Sequence, residues 1–139
     1  MRYWDASALV PLVVSEPGTE QARSWLADDD QIVTWGWTRV EIVSAIERLT
    51  REQRLDRMQR REALARLDTF ADTWDEVCEL LTVRDRARRL LARYPLRAAD
   101  AGQLGAATLV QDQISGPLVF LSLDRRQSEA AELEGLIVL

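Results

Sequence analysis

Histidine is absent from this chain of 139 residues. Without it there is no Ser-His-Asp or Cys-His nucleophile pair and no His-ligated zinc site. Lysine is absent as well, since all 18 basic residues are arginine. That removes a Walker-type phosphate loop and Schiff-base chemistry. The single cysteine, Cys78, allows no internal disulfide. In the apolar run Val77-Cys78-Glu79-Leu80-Leu81 it reads as a buried, inert thiol with no histidine to activate it. No stretch approaches the roughly 20 apolar residues that cross a bilayer, so no membrane partner is expected. The apolar segment Ala8–Val14 is short, holds Pro11 and follows Asp5, unlike a secretory signal, and the expected location is the cytoplasm. The reactive side chains that remain are carboxylates. Their hard oxygens favour hard cations such as Mg²⁺ or Mn²⁺.

Hydrophobic residues make up 47% of the chain and charged residues 29%, the mix of one globular domain able to build its own core. A net charge of −5 is unlike a nucleic-acid binder. Most of that excess, however, resides in four acids singled out below. Arginines cluster at Arg48, Arg51, Arg54, Arg57, Arg60 and Arg61, and again at Arg84, Arg86, Arg88, Arg89, Arg93 and Arg97. Arginine pairs with phosphate in a bidentate fork. The same clusters also suit solvated helix faces with Glu partners.

The chain opens with strand formers, Tyr3 and Trp4, and then turns at Asp5 and Ser7, both N-cap types, into an apolar helix. Glu16-Pro17-Gly18 is a turn, and Thr19–Ala27 has the apolar spacing of a short helix that ends in the loop Asp28-Asp29-Asp30. Gln31–Trp35 reads as a second strand, broken at Gly36. A strong amphipathic helix opens at Thr38, with Ile42, Ile46 and Leu49 on one face. Another helix runs over about Met58–Ala71. A third strand falls within Trp74–Leu81, and Thr82 caps a helix that Pro95 ends. A helix rich in small residues follows Asp100, with Gly102 and Gly105 predicting close packing against the sheet. Leu118–Leu121 reads as a buried parallel strand. A final helix over Arg125–Leu133 and a strand at Leu136–Leu139 close the chain. Strands alternating with helices predict an α/β fold, a parallel sheet with helices on both faces.

Four acids recur where a strand or loop enters a helix: Asp5, Glu41, Asp100 and Asp124. Each has a purely local explanation. Thr38-Arg39-Val40-Glu41 matches a capping box. Asp100 with Gln103, and Asp124 with Gln127, suit N-caps, and Asp5 can cap the first helix. In a parallel sheet, however, such positions share one edge, the edge where ligands bind. Four carboxylates gathered there repel one another and raise each other's pKa values unless a cation sits among them. Mg²⁺ accepts such oxygen ligands and usually keeps several waters.

These residues resemble those of the PIN-domain ribonucleases, most closely the VapC-type toxins of bacterial toxin–antitoxin pairs. The resemblance rests on Asp5-Ala6-Ser7-Ala8-Leu9-Val10 with Glu16-Pro17-Gly18, and on Glu41 in the helix after the second strand. It extends through Leu96-Arg97-Ala98-Ala99-Asp100-Ala101 and Ser122-Leu123-Asp124 to Glu134-Gly135-Leu136. It covers nearly the whole chain as a single domain, 1–139. It implies a five-stranded parallel sheet and an acidic pocket formed by Asp5, Glu41, Asp100 and Asp124, holding Mg²⁺ or Mn²⁺, with Ser7 and Ser122 as polar support. It further implies an RNA substrate, a cognate antitoxin that inserts a basic side chain among the acids, and a homodimer. The pattern departs from the family at Gln103, where histidine is frequent, at Gly102, where a bulky apolar residue is frequent, and at Trp35 and Trp37.

The chemistry implied is metal-dependent endoribonucleolytic hydrolysis, with Asp5 and Asp100 as principal ligands and Glu41 and Asp124 completing the set. A receiver-type signalling domain needs a lysine this chain lacks. A haloacid-dehalogenase-like phosphatase needs an acid at position 7, which is Ser7. The rival from another class is a catalytically inactive PIN-like module for protein binding or dimerisation.

Overall fold

The computed structural model describes residues 1–139. Its elements follow in the order β1 (Arg2–Trp4), α1 (Ala6–Val13), α2 (Thr19–Asp28), β2 (Ile32–Trp35), α3 (Thr38–Arg51), α4 (Arg57–Ala71), β3 (Asp75–Val77), α5 (Leu80–Arg93), α6 (Ala98–Gln111), β4 (Val119–Leu121), α7 (Arg125–Leu133) and β5 (Ile137–Val138). All five strands are parallel, in the spatial order β3-β2-β1-β4-β5. The α/β fold expected from the alternation of strand and helix patterns is therefore the fold observed.

Side-chain alternation along β1 splits the core in two. Trp4 faces one way and packs with Ala8, Leu9, Trp25, Ile42, Ile46 and Leu67 of α1–α4. Tyr3 faces the other way, among Val83, Leu90, Leu104, Ala107 and Ala130 of α5–α7. Tyr3 also stacks on its cross-strand neighbour Phe120, with ring centroids 5.5 Å apart. Burying both faces of the sheet explains why β4 reads as an unbroken apolar run. From β1 the chain moves outward through β2 to β3, then returns to lay β4 on the other side of β1. That reversal creates a switch point at the carboxyl ends of the central strands, where side chains at strand exits line a crevice. Asp5 immediately follows β1.

Several boundaries differ from the sequence reading. The third strand stops at Val77, because its partner β2 ends at Trp35 and the Gly36 N–H closes the ladder on the Val77 carbonyl. The chain then leaves the sheet. As a result Cys78 is exposed rather than buried, and α5 begins at Leu80, so Thr82 lies inside the helix and caps nothing. The last strand is only Ile137–Val138, since it has just Val119 and Phe120 to pair with. Gly102 does meet the sheet: a Cβ there would stand 2.4 Å from the Trp35 ring. Gly105 instead meets α5, where its Cβ would lie 3.1 Å from the Val83 carbonyl. The acidic triplet is not merely solvated. Asp28 pairs with Arg2, and Asp29 takes the N-terminal ammonium at 2.6 Å, tying β1 to the end of α2.

Candidate functional site

Asp5 ends β1 in an extended conformation and caps α1, its Oδ2 accepting from the Ser7 N–H at 3.1 Å. The same oxygen accepts from the hydroxyls of Ser7 at 2.5 Å and Ser122 at 3.0 Å. Ser122 Oγ in turn accepts from the Asp124 N–H at 3.0 Å, and Ser7 Oγ from the Leu123 N–H at 2.8 Å. The two serines thus fasten the exit of β4 to the exit of β1. Asp5 is only 2% exposed. Burial raises its carboxyl pKa, the hydrogen bonds from Ser7 and Ser122 pull it back down, and the charge of Asp100 adds to the rise.

Glu41 lies in the first turn of α3, but not in a capping box. Trp37 occupies the N-cap with no side-chain bond, and Thr38 is the first helical residue. The Thr38 hydroxyl is drawn inward instead, to Thr34 and Gln103, each at 2.8 Å. Glu41 Oε2 accepts from Gln103 Nε2 at 2.7 Å, while Oε1 is buried with no partner. Burial, with the charges of Asp5 and Asp100 adding to it, pushes this carboxyl up to about 7 against the Gln103 hydrogen bond that lowers it.

Asp100 is not the N-cap of α6. It sits one turn in, where Oδ2 accepts from the Arg97 N–H at 3.0 Å and Oδ1 from Gln127 Nε2 at 3.0 Å. Asp124 does cap α7, its Oδ1 accepting from the N–H groups of Arg126 and Gln127 at 2.8 and 3.2 Å.

The charge of Asp100 thus reaches both Asp5 and Glu41, and the charge of Asp5 reaches Glu41. Asp124 joins them through Ser122 and Gln127 rather than through its own charge. No three acids close into a ready-made cation cage. Instead, Asp5, Glu41 and Asp124 each commit one oxygen to protein donors and leave the other without one. In the sequence Gln103 stands out only as a local partner of a cap and as a departure from the family pattern, and Gln127 only as a local partner of a cap. Their bonds reach across 62 and 27 residues respectively, so no local pattern reveals them.

Fold and side chains together define a small α/β domain with acidic side chains gathered at the carboxyl edge of a parallel sheet. The PIN-domain family model matches residues 2–133, and the chain belongs to that family. PIN domains are generally nucleases. Among solved structures, the chain is similar to PAE2754 from Pyrobaculum aerophilum, with 21% identity and a TM-score of 0.67, over 99% of this chain and 89% of that one. It is also similar to a toxin–antitoxin complex from Klebsiella pneumoniae, with 19% identity and a TM-score of 0.59, over 91% of this chain and 89% of that one. At these identities the likeness concerns the fold. No curated protein sequence matches the chain. No helix is long and apolar enough to cross a membrane.

Proposed function

We propose that this chain is a divalent-metal-dependent endoribonuclease, the toxin of a toxin–antitoxin pair. The observation that carries the reading is the buried, unpartnered oxygen of Glu41, a carboxylate that also feels the charges of Asp5 and Asp100. A cluster of carboxylates kept apart from any arginine or lysine partner is costly in the absence of a cation. The donor set fits Mg²⁺ or Mn²⁺. It is all oxygen, and an open arrangement suits an ion that keeps waters and takes few protein ligands directly.

Asp5 and Asp100 would hold the metal, with Glu41 and Asp124 completing the set directly or through water. When bound, such an ion supplies Lewis-acid chemistry at the phosphodiester and makes water more acidic. The chain's own residues do the orienting. Ser7 and Ser122 hold Asp5 Oδ2, and Gln127 holds Asp100 Oδ1, so each carboxylate presents in one sense. Arg48, Arg51, Arg57, Arg61, Arg88 and Arg89 form no salt bridge, whereas Arg54, Arg60, Arg84, Arg86 and Arg93 do. The unpaired group is available to RNA phosphates.

A partner protein and a homodimer fit the exposed apolar side chains Trp37 (55%), Leu80 and Leu81 (63% each). Of the five tryptophans, Trp4, Trp25 and Trp74 are buried, and Trp37 is the exposed one. The toxin–antitoxin neighbour supports an antitoxin as that partner. The expected cellular location is the cytoplasm.

The test is cleavage of single-stranded RNA with Mg²⁺ or Mn²⁺ and its loss in EDTA, beside growth arrest when the chain is expressed alone. Full cleavage in EDTA would remove the metal mechanism. The open spacing of the acids favours one second reading, a non-catalytic PIN-like binding module. Calorimetry with Mn²⁺ separates the two, because a non-catalytic module of that kind has no use for the ion.

A further inference from the structure

Gln103 is an uncharged amide, 1% exposed in the middle of α6. All three of its bonds run to buried groups: Oε1 accepts from the Tyr3 hydroxyl at 2.8 Å, and Nε2 donates to Thr38 Oγ1 at 2.8 Å and Glu41 Oε2 at 2.7 Å. The sense of this amide follows from proton bookkeeping. A backbone carbonyl only accepts, so Thr34 Oγ1 donates its one proton to the Trp4 carbonyl, at 2.7 Å. Thr34 must then accept from Thr38, at 2.8 Å. Thr38, its proton spent, can only accept from Gln103. The amino group therefore faces Thr38 and Glu41, and the amide oxygen is left for Tyr3. Tyr3 is fully buried, and its hydroxyl proton has this amide oxygen as its acceptor.

We propose that Gln103, locked by Tyr3, is a positioning residue that takes Glu41 Oε2 and leaves Oε1 as the oxygen offered to the metal or its water. The relay begins at the carbonyl of Trp4, one residue before Asp5, and runs through Thr34, Thr38 and Gln103 to Glu41, so the orientation of Glu41 is tied to the strand that carries Asp5. With the amide turned over, its oxygen would face both a carboxylate and a hydroxyl that has no proton to give. The inference rests on the metal-nuclease reading above.

The test compares the parent, Gln103→Leu and Tyr3→Phe by Mn²⁺ calorimetry, steady-state RNA cleavage and thermal melting. Removing a group that orients a metal ligand typically costs about 10- to 100-fold in metal affinity or activity. Gln103→Leu is expected to weaken Mn²⁺ binding and kcat within that range while the KM for RNA stays constant. Tyr3→Phe keeps the ring and its stacking on Phe120 but removes the donor that anchors the amide oxygen, loosening Gln103 without reversing it, so it is expected to show the same pattern near the lower end. Because it preserves the core, Tyr3→Phe decides the matter should Gln103→Leu fail to fold. Lowered melting temperatures with unchanged Mn²⁺ affinity and kcat would make the relay a structural feature only and overturn the proposal. A parent protein that neither binds Mn²⁺ nor cleaves RNA would bring down the metal-nuclease reading and this role with it. A parent that does both beside indifferent variants would bring down this role alone.

Discussion

Glu41→Gln should make the metal-free protein more stable at neutral pH while abolishing its function. The folded state holds the Glu41 carboxyl at about 7, against an ordinary value of 4.5. Between those two pH values the folded protein keeps a proton that the unfolded chain releases, so stability falls as pH rises. Below the lower value both states are protonated and Glu41 contributes no pH dependence. Above the upper value both are ionised and the whole cost of the buried charge is in place. Each pH unit in that window is worth about 1.4 kcal/mol, which bounds the cost at roughly 3 kcal/mol. Glutamine keeps the shape and an acceptor for Gln103 but cannot ionise. In EDTA the variant and parent should therefore be close in stability near pH 4.5 and diverge steadily as pH rises. Above pH 7 the variant should lead by up to that amount, or roughly 10 °C in melting temperature for a chain of this length. Saturating Mn²⁺ should narrow or reverse the gap, since an ion at a hundred times its Kd stabilises the protein that binds it by about 2.7 kcal/mol. Urea denaturation across pH, with and without Mn²⁺, measures both effects. A pH-independent difference, or a variant less stable than the parent at pH 8 in EDTA, would refute the idea that Glu41 is a strained, buried carboxyl.

Two further outcomes follow from the same geometry. Asp100→Asn keeps an acceptor for the Arg97 N–H while removing one charge from the cluster, so its metal-free melting temperature should match or exceed the parent's, whereas stabilisation by Mg²⁺ and cleavage should be lost together; parent-level cleavage would show Asp100 to be a helix-end residue and nothing more. Gly102→Ala places a methyl group against the Trp35 ring and should cost about 1–3 kcal/mol by denaturation, although Ala is the better helix former; a variant as stable as the parent would mean that Trp35 has room to move.

The architecture was legible because its signals are periodic and local. Trp4 and Tyr3 alternate into two cores, Leu118–Leu121 is apolar throughout because β4 is covered on both faces, and Gly36 and Pro95 interrupt where the chain turns. Strand length was not legible, because it depends on the neighbour. Val77 ends β3 when β2 runs out, whatever residues follow, and that is also why Cys78, inside an apolar run, stands exposed. The order β3-β2-β1-β4-β5 is likewise a property of pairing rather than of any segment.

The acids themselves divide by how their local and distant partners compete. At Asp5 and Asp124 the two are compatible: the carboxylate caps the helix beginning beside it with one oxygen, and the other remains free for the proposed site. At Glu41 they conflict. The capping-box pattern Thr38-x-x-Glu41 would turn both side chains to the helix end, but Thr34, Gln103 and the Trp4 carbonyl offer Thr38 a buried chain of hydrogen bonds instead. A buried hydroxyl left unpaired costs about 1–3 kcal/mol, whereas an end N–H of a helix can be satisfied by water. The inward arrangement therefore prevails, and with Thr38 turned away Glu41 is handed to Gln103. The local pattern fails at the place where Gln103, a polar side chain of another helix, reaches Glu41 from 62 residues away.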